Sequence, residues 1–279
     1  MSAFFGFLGK RLMKHDITLS TCAFTANTAD EAALIRHFEM AMEAGFAGFE
    51  LAITKREDAP VLLSAACKTA APVVAVHGVL DARSCSPDAA VRREAAEAAF
   101  SYLEVFAGYA PCPIVEHYFH RFNDPEIGKY FRDSVEMLLE KTEKAGFVFC
   151  MENAPYKPEY DERFPNVAEI VEFVRSFGEN RMFMTFDVNH ANLHEDPVAV
   201  CRTSAGLVKH IHVSDNHGHR EEHLLPGAGT IDLRSVIFAL YANGYNGPCN
   251  LEVIFPRGVQ ADTAAYAEVY RTISGIIGE

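Results

Sequence analysis

A chain of 279 residues, 49% of them hydrophobic, can bury a substantial core without disulfide bonds and has the length of one large α/β barrel. Its formal net charge of −13 argues against a surface built to bind a polyanion such as nucleic acid or an anionic membrane. Seven cysteines without a CxxC pair favour a reducing, cytoplasmic location over a disulfide framework, and no apolar run is long enough to span a membrane.

Short runs of apolar, β-branched and aromatic residues predict eight strands in chain order. Their ranges are 17–24, 45–53, 72–78, 112–119, 147–153, 182–188, 208–214 and 249–255. Stretches with helical periodicity lie between them. The predicted helical ranges are 29–44, 87–108, 125–145, 167–177, 197–206, 231–243 and 260–277.

This alternation of strands and helices predicts a parallel sheet. We interpret the sheet as a closed (β/α)8 TIM barrel because the length fits and no G-x-G-x-x-G motif follows the first strand, as an open doubly wound sheet would favour. No linker or low-complexity segment marks a boundary, so residues 1–279 are predicted to form one α/β domain with 1–15 as an N-terminal extension.

Ionisable side chains recur where the predicted strands end. They are Glu50, His77, Glu116, His117, Glu152, Asp187, His190, His210, His212, Asp215 and Glu252. The carboxyl ends of barrel strands form the active-site face, so these side chains are expected to meet at one rim. Glu50 fits a site role and a helix-capping role equally well, whereas His37, in a helical stretch, is interpreted as a surface histidine.

Three of these carboxylates follow strongly apolar runs and therefore need a partner, because a buried carboxylate is costly unless it is paired or bound to a metal. They are Glu152, Asp187 and Glu252, and few basic residues lie near them in sequence. A divalent cation held by these three and His212 would satisfy them, and the donor set suits Mn²⁺, Mg²⁺, Co²⁺ or Zn²⁺. His210 lies on the same strand face as His212, and periodicity does not decide which of the two points inward.

A histidine-rich loop follows the seventh predicted strand. Residues 215–232 contain His217, Glu221 and His223, followed by a Pro-Gly-Ala-Gly turn. A charged solvent-exposed loop would have this composition. Its place after His212 instead favours an active-site loop that supplies ligands to substrate or metal, with glycines that let the backbone approach the ligand.

The motifs GFAGFEL, VAVHG, FCMENAP, FDVNHAN, HIHVSDN with HLLPGAGTID, and NLEV, in this order, resemble the xylose isomerase-like TIM-barrel superfamily over about residues 17–275. That superfamily includes sugar and sugar-phosphate isomerases and epimerases, inosose and 3-dehydroshikimate dehydratases, and endonuclease IV-type enzymes. The resemblance to its ketose epimerases implies one metal on Glu152, Asp187, His212 and Glu252. It also implies that the two glutamates move the substrate proton and that His190 contacts substrate.

The resemblance to endonuclease IV-type enzymes implies a different site with three zinc ions. The additional ligands would be His77, His117, His190, Glu221 and His223, although Glu221 stands where that branch has an aspartate. The ENAP and FDVNHAN motifs are more similar in sequence to those of the isomerase branch than to those of the endonuclease IV-type branch. The acidic charge and the lack of a basic, aromatic DNA-facing loop favour the same branch.

The sequence therefore predicts a metal-dependent sugar or sugar-phosphate isomerase or epimerase, in which Glu152 or Glu252 removes the proton next to a carbonyl and gives an enediolate. His217 stands where the epimerases have a substrate-binding arginine. The candidate substrate-binding residues are His190, His77, His117, His217, His223, Glu221 and, for a phosphate, Arg257.

Three alternatives stay open: a dehydratase on the same scaffold, a zinc phosphodiesterase, and a metal or sugar binder without catalysis. The expected cofactor is one divalent Mn, Co, Mg or Zn ion, or up to three Zn ions in the phosphodiesterase. The expected partner is a small sugar or related polyol, with no nucleic acid and no membrane, and a homodimer is the expected assembly because it is the commonest oligomer.

Overall fold

The computed structural model describes residues 15–25, 28–53, 55–78, 80–117, 125–155 and 165–278. Apart from His15, the predicted N-terminal extension lies outside these residues, as does the end of the predicted fourth strand at 118–119. Eight strands form one parallel sheet. They are β1 (Ile17–Ser20), β2 (Phe49–Ala52), β3 (Val73–His77), β4 (Pro113–His117), β5 (Val148–Glu152), β6 (Phe183–Asp187), β7 (Val208–His212) and β8 (Cys249–Leu251).

The strands follow one another around a nearly closed barrel. Each strand from β1 to β7 pairs with its sequence neighbour, and β1 also pairs with β8. Between β7 and β8 the contact is a single bridge between Val213 and Leu251, with hydrogen bonds from Val213 N to Asn250 O at 2.9 Å and from Glu252 N to Val213 O at 3.1 Å. The predicted (β/α)8 barrel is confirmed, and its weakest seam lies between β7 and β8.

Helices cover the outside of the barrel. They are α1 (Glu31–Ala44), α2 (Ala59–Thr69), α3 (Ala89–Leu103), α4 (Pro125–Ala145), α5 (Val167–Arg175), α6 (Val188–Ala191), α7 (Pro197–Val200), α8 (Leu233–Ala242) and α9 (Thr263–Ile277). None of the described helices is both long and apolar enough to cross a lipid bilayer.

Local sequence explains where most of these helices begin. An Asp or Asn side chain at the N-cap accepts a backbone N–H of the first turn, which satisfies a group that has no partner inside the helix. These caps are Asp30, Asp88, Asn166, Asp196, Asp232 and Asp262. Gly45 ends α1 at a φ of 115°, a left-handed conformation that favours glycine.

The predicted helix at 197–206 is the main error in the helical ranges. Only α7, Pro197–Val200, is helical there, and turns continue to residue 207. Ser204 Oγ donates to the carbonyl of Cys201 at 2.8 Å, an example of the local side-chain bonds that compete with helical pairing. The helix α2 was not among the helical ranges predicted from the sequence.

The prediction of a surface position for His37 is wrong. The residue is 8% exposed, and its Nδ1 lies 2.9 Å from the hydroxyl of Tyr266. Its ring also stacks on Phe24, with a centroid distance of 5.2 Å. His37 therefore belongs to the layer where α1 packs against α9 and the barrel.

Candidate active site

The carboxyl ends of the strands bring most of the predicted site residues together at one rim. Side chains alternate between the two faces of a strand, so a residue at the end of each strand can point into the barrel. Six such side chains are at most 8% exposed. They are Glu50, His77, Glu152, Asp187, His212 and Glu252.

The centre of the site is formed by one donor atom from each of Glu152, Asp187, His212 and Glu252, all within 4.8 Å of one another. His212 Nδ1 lies 2.8 Å from Glu152 Oε1, 3.3 Å from Glu252 Oε2 and 3.7 Å from Asp187 Oδ2. The four residues come from β5, β6, β7 and the residue after β8. Three carboxylates thus face one nitrogen of a single imidazole.

Asp187 is held in place through its main chain and one carboxylate oxygen. Asn153 Nδ2 donates to the carbonyl of Asp187 at 2.9 Å, and the backbone N–H of Asp187 donates to Asn153 Oδ1 at 2.8 Å. Asp187 Oδ1 accepts the backbone N–H of His190 at 2.6 Å and so caps the short helix α6. These contacts fix the direction of the second oxygen, Oδ2. Asn153, which follows Glu152 at the end of β5, is thus a structural residue of the site that the sequence analysis did not identify.

Buried oxygens without a hydrogen-bond partner among the described residues show that the four-residue group fits a divalent cation. Asp187 Oδ2 and Glu252 Oε2 are two of them. The nitrogens nearest to Asp187 Oδ2 in ion-pair contact are His212 Nδ1 and His190 Nδ1, at 3.7 and 3.8 Å. Such oxygens are costly to bury, and oxygen-rich sets with one imidazole suit Mn²⁺, Mg²⁺, Co²⁺ or Zn²⁺.

Electrostatic coupling favours the charged forms of His212 and Glu252. Burial by itself lowers the pKa of His212, but the charges of Glu252, Glu50 and Glu152 raise it well above its ordinary value. Burial by itself raises the pKa of Glu252, whereas the charge of His212 and a hydrogen bond from His77 lower it to about 2. Burial raises the pKa of Asp187. His212 and Glu252 thus stabilise each other's charges, whereas the charged form of Asp187 is destabilised by burial and by the neighbouring glutamates. A bound cation would replace the proton on His212 Nδ1.

One further donor group, Glu50, His77, His212 and Glu252, shares two residues with the centre, and two more clusters adjoin it. The first consists of His77, His117 and Glu152, with His117 Nε2 3.0 Å from Glu152 Oε2 and 3.1 Å from His77 Nε2. The carboxylates Glu252, Glu152 and Glu50 outweigh the effect of burial on His77 and raise its pKa to about 9.

The second adjoining cluster consists of His190, Glu221 and His223. Glu221 Oε1 lies 2.8 Å from His223 Nε2 and 3.5 Å from His190 Nε2. Burial opposes protonation of His190, but the carboxylates around it, Asp187 first, raise its pKa to about 10. The loop after β7 therefore brings two of its residues to the rim.

Other predicted residues lie outside these clusters. His217 is exposed, and its Nδ1 lies 2.9 Å from Glu222 Oε2; Arg257 is also exposed. Asp215 is a structural residue of the loop, because it accepts four backbone N–H groups. Glu116 is buried, and its Oε2 accepts the backbone N–H of Leu80 at 3.0 Å.

Sequence reasoning left the role of Glu50 and His210 open. Both are buried, and His210 Nε2 lies 2.8 Å from Glu50 Oε2. His210 and His212 therefore both point into the barrel. The H-x-H spacing indicates that the two histidines share one face of β7. It does not indicate their contact with Glu50 on β2, which is 160 residues from His210 in sequence.

The barrel and its rim of acids and imidazoles match one family over most of the chain. A sequence model of the xylose isomerase-like TIM-barrel family matches residues 38–272, and the chain belongs to this family. The expected resemblance is thereby confirmed.

Individual relatives are distant. An uncharacterised protein of Methanocaldococcus jannaschii is 27% identical over 172 residues, 57% of this chain and 54% of that protein. The fructoselysine 3-epimerase of Escherichia coli O157:H7 is 24% identical over 123 residues, 44% of each chain. The chain spans about half the length of these curated relatives. The solved structure of an L-ribulose 3-epimerase has a TM-score of 0.72 at 19% identity, with 94% of both chains covered, and that likeness shows the fold.

Proposed function

We propose that this chain is a metal-dependent isomerase or epimerase of a sugar or sugar phosphate. One observation carries the proposal: Glu152, Asp187, His212 and Glu252 converge at the rim with donor atoms within 4.8 Å of one another. Two of these residues are glutamates, which can act as the general base and the general acid of a reaction that moves a proton between neighbouring carbons or between the two faces of one carbon. The similarity to a fructoselysine 3-epimerase and to the structure of an L-ribulose 3-epimerase supports this chemistry.

In this mechanism one glutamate takes a proton from the carbon next to the substrate carbonyl. The electron pair of the broken C–H bond forms a carbon–carbon double bond, and the π pair of the carbonyl moves to its oxygen, which gives an enediolate. The other glutamate delivers a proton to the opposite face of the same carbon in an epimerase, or to the former carbonyl carbon in an isomerase, in which the hydroxyl proton also passes to the former carbonyl oxygen. Glu152 and Glu252 hold these roles, and His212 Nδ1 lies within 3.3 Å of a carboxylate oxygen of each. A divalent cation on the four-residue group would act as a Lewis acid on the carbonyl and its neighbouring hydroxyl.

The surrounding imidazoles would bind the substrate hydroxyls. His190 Nε2 is buried without a hydrogen-bond partner among the described residues, and His117 is half exposed at the rim. A buried site that hydrogen-bonds a hydroxyl discriminates strongly against substrates without it. His77 lies 3.5 Å from a carboxylate oxygen of each glutamate, and His223 lies 3.5 Å from one of Glu252, so both would add polar contacts to a polyhydroxylated ligand.

The test is proton exchange in heavy water. Wild-type protein loaded with Mn²⁺, Co²⁺, Mg²⁺ or Zn²⁺ is incubated in D₂O with a panel of ketoses and ketose phosphates, and NMR follows deuterium incorporation next to the carbonyl. Glu152→Gln is expected to lower the rate by roughly 10²–10⁴-fold. Glu140→Gln, at an exposed glutamate of α4, is the matched control. Unchanged turnover by Glu152→Gln on a substrate that the wild type converts contradicts the mechanism, and an absorbing enone product identifies a dehydratase.

The two adjoining donor clusters support a second candidate, a trinuclear zinc phosphodiesterase. Glu152 belongs both to the central group and to the cluster with His77 and His117. In the other cluster, His190 Nδ1 lies 3.8 Å from Asp187 Oδ2 and His223 Nδ1 lies 3.5 Å from Glu252 Oε2. The formal net charge of −13 opposes a nucleic-acid substrate.

Elemental mass spectrometry on protein purified without a chelator separates the two candidates. About one metal ion per chain supports the isomerase or epimerase. About three zinc ions per chain, together with nicking of an abasic duplex, supports the phosphodiesterase.

A further inference from the structure

The two ring nitrogens of His212 face different partners. Nδ1 points toward the carboxylates of the proposed metal site, 2.8 Å from Glu152 Oε1. Nε2 points away from that site and lies 2.7 Å from Glu50 Oε2. Glu50 and His212 are both fully buried, so water does not compete for either contact. The imidazole is thus held between a carboxylate on β2 and the proposed metal position.

Glu50 is itself fixed by a second imidazole. His210 Nε2 donates to the same oxygen, Glu50 Oε2, at 2.8 Å. His210 and His212 are two residues apart on β7, so both lie on the inner face of the barrel. The carboxylate receives both N–H groups on one oxygen, while the nearest ion-pair contact of the other oxygen, Oε1, is His77 Nδ1 at 3.9 Å.

This arrangement determines which nitrogen of His212 can bind a metal. A neutral imidazole has one N–H and one lone pair, and a metal binds the nitrogen with the lone pair. An ionised carboxylate can only accept hydrogen bonds, so the nitrogen that faces Glu50 keeps the proton. The lone pair is then left on Nδ1, which faces Glu152, Asp187 and Glu252.

We infer that Glu50 is a positioning residue that sets the tautomer and the ring orientation of His212 for metal binding through Nδ1, with His210 holding Glu50 in place. The inference rests on the proposed metal site. Carboxylates that accept the second N–H of a metal-binding histidine typically change metal affinity by about 10–100-fold when they are mutated.

The test compares Zn²⁺ affinity in the full-length protein, measured by competition with a fluorescent chelator. Glu50→Gln is expected to weaken binding about 10–100-fold, because an amide can offer an N–H to His212 and stabilise the other tautomer. Glu50→Asp keeps an ionised acceptor and is expected to lose less. Glu116→Gln, at a buried strand-end glutamate that accepts a backbone N–H, is the control and is expected to bind as the wild type does.

A second readout is the ¹⁵N NMR spectrum of His212 in the zinc-loaded protein. We expect a proton on Nε2 and zinc on Nδ1 in the wild type, and an upfield shift of the Nε2 proton signal in Glu50→Gln, where this proton no longer donates to a carboxylate. Unchanged zinc affinity of Glu50→Gln, or zinc on Nε2 of His212, overturns the positioning role alone. Failure of the wild type to bind zinc or any other divalent ion overturns the proposed function as well. Should Glu50→Gln not fold, Glu50→Asp and His210→Gln carry the comparison.

Discussion

At the scale of single residues, the burial of His37 is expected to make the free energy of unfolding depend on pH. Its ring lies between Phe24 and Tyr266, and its Nδ1 contacts the tyrosine hydroxyl. Burial, with the charge of Arg36, lowers the pKa of His37 below its ordinary value. The folded protein therefore keeps this imidazole neutral at a pH where the unfolded chain, with a pKa of about 6.5, takes up a proton.

We expect the contribution of His37 to the free energy of unfolding to fall as the pH is lowered from 7.5 through about 6.5 toward its depressed pKa. His37→Gln should cost about 1–3 kcal/mol at pH 7.5, through lost packing and an altered hydrogen bond. The cost should shrink at pH 5.5, because glutamine does not titrate. Urea unfolding of both proteins at both pH values measures this difference. An equal cost at the two values would contradict a neutral buried imidazole.

The residue scale also shows what the sequence can and cannot predict. The positions of Glu152, Asp187, His212 and Glu252 at the strand ends could be predicted from the sequence, because the carboxyl ends of successive barrel strands form one rim. The burial of His37 was also readable, since it shares the buried face of α1 with Leu34, Phe38 and Ala41. The contact between Glu50 and His212 was not, because no local pattern links residues on β2 and β7.

At the scale of elements, the loop after β7 is held together by one carboxylate. Asp215 Oδ1 accepts the backbone N–H groups of Asn216 and Ile231 at 2.9 and 3.0 Å. Its Oδ2 accepts those of Gly227 and Gly229 at 3.1 and 2.9 Å. A Cβ on Gly229 would come within 2.4 Å of Asp215 Oδ1, so this close approach requires glycine.

Asp215→Asn is expected to lower the free energy of unfolding by about 1.5–3 kcal/mol, because hydrogen bonds to charged groups are strong and the new amide faces two N–H donors. It should also weaken metal or substrate binding that depends on the position of His223. Asp232→Asn, at the exposed N-cap of α8, is the control, since asparagine caps a helix as well as aspartate does. Chemical denaturation of both variants measures the effect, and equal stability of the two would assign Asp215 no structural role.

The order of the strands and helices was predicted better than the residues at which they begin and end. Every strand overlaps its predicted range, because runs of apolar and β-branched residues are a strong signal. The strand β8 is short, since the sheet pairing ends at Leu251 just before Glu252 turns into the site. The helix α2 was harder to predict, because its sequence APVLLSAACKT is apolar on most sides and carries one charge.

At the scale of the whole molecule, the proposed metal site lies across the weakest seam of the barrel. The strands β7 and β8 are the two ends of the sheet order and share one isolated bridge. His212 belongs to one side of this seam and Glu252 to the other, with His212 Nδ1 3.3 Å from Glu252 Oε2. A cation bound by both residues would therefore add a link where backbone pairing is sparse.

We expect a bound divalent ion to stabilise the barrel most at this seam. Because the ion binds the folded chain, it should raise the free energy of unfolding by about 2.7 kcal/mol at a hundredfold excess over its Kd. Hydrogen–deuterium exchange with and without the metal tests where this stabilisation acts. Amides of residues 208–215 and 249–255 should gain more protection than those of β3, which pairs within the sheet with both of its neighbours. In His212→Ala the gain should vanish, while uniform protection throughout the barrel would mean that the ion does not bridge the seam.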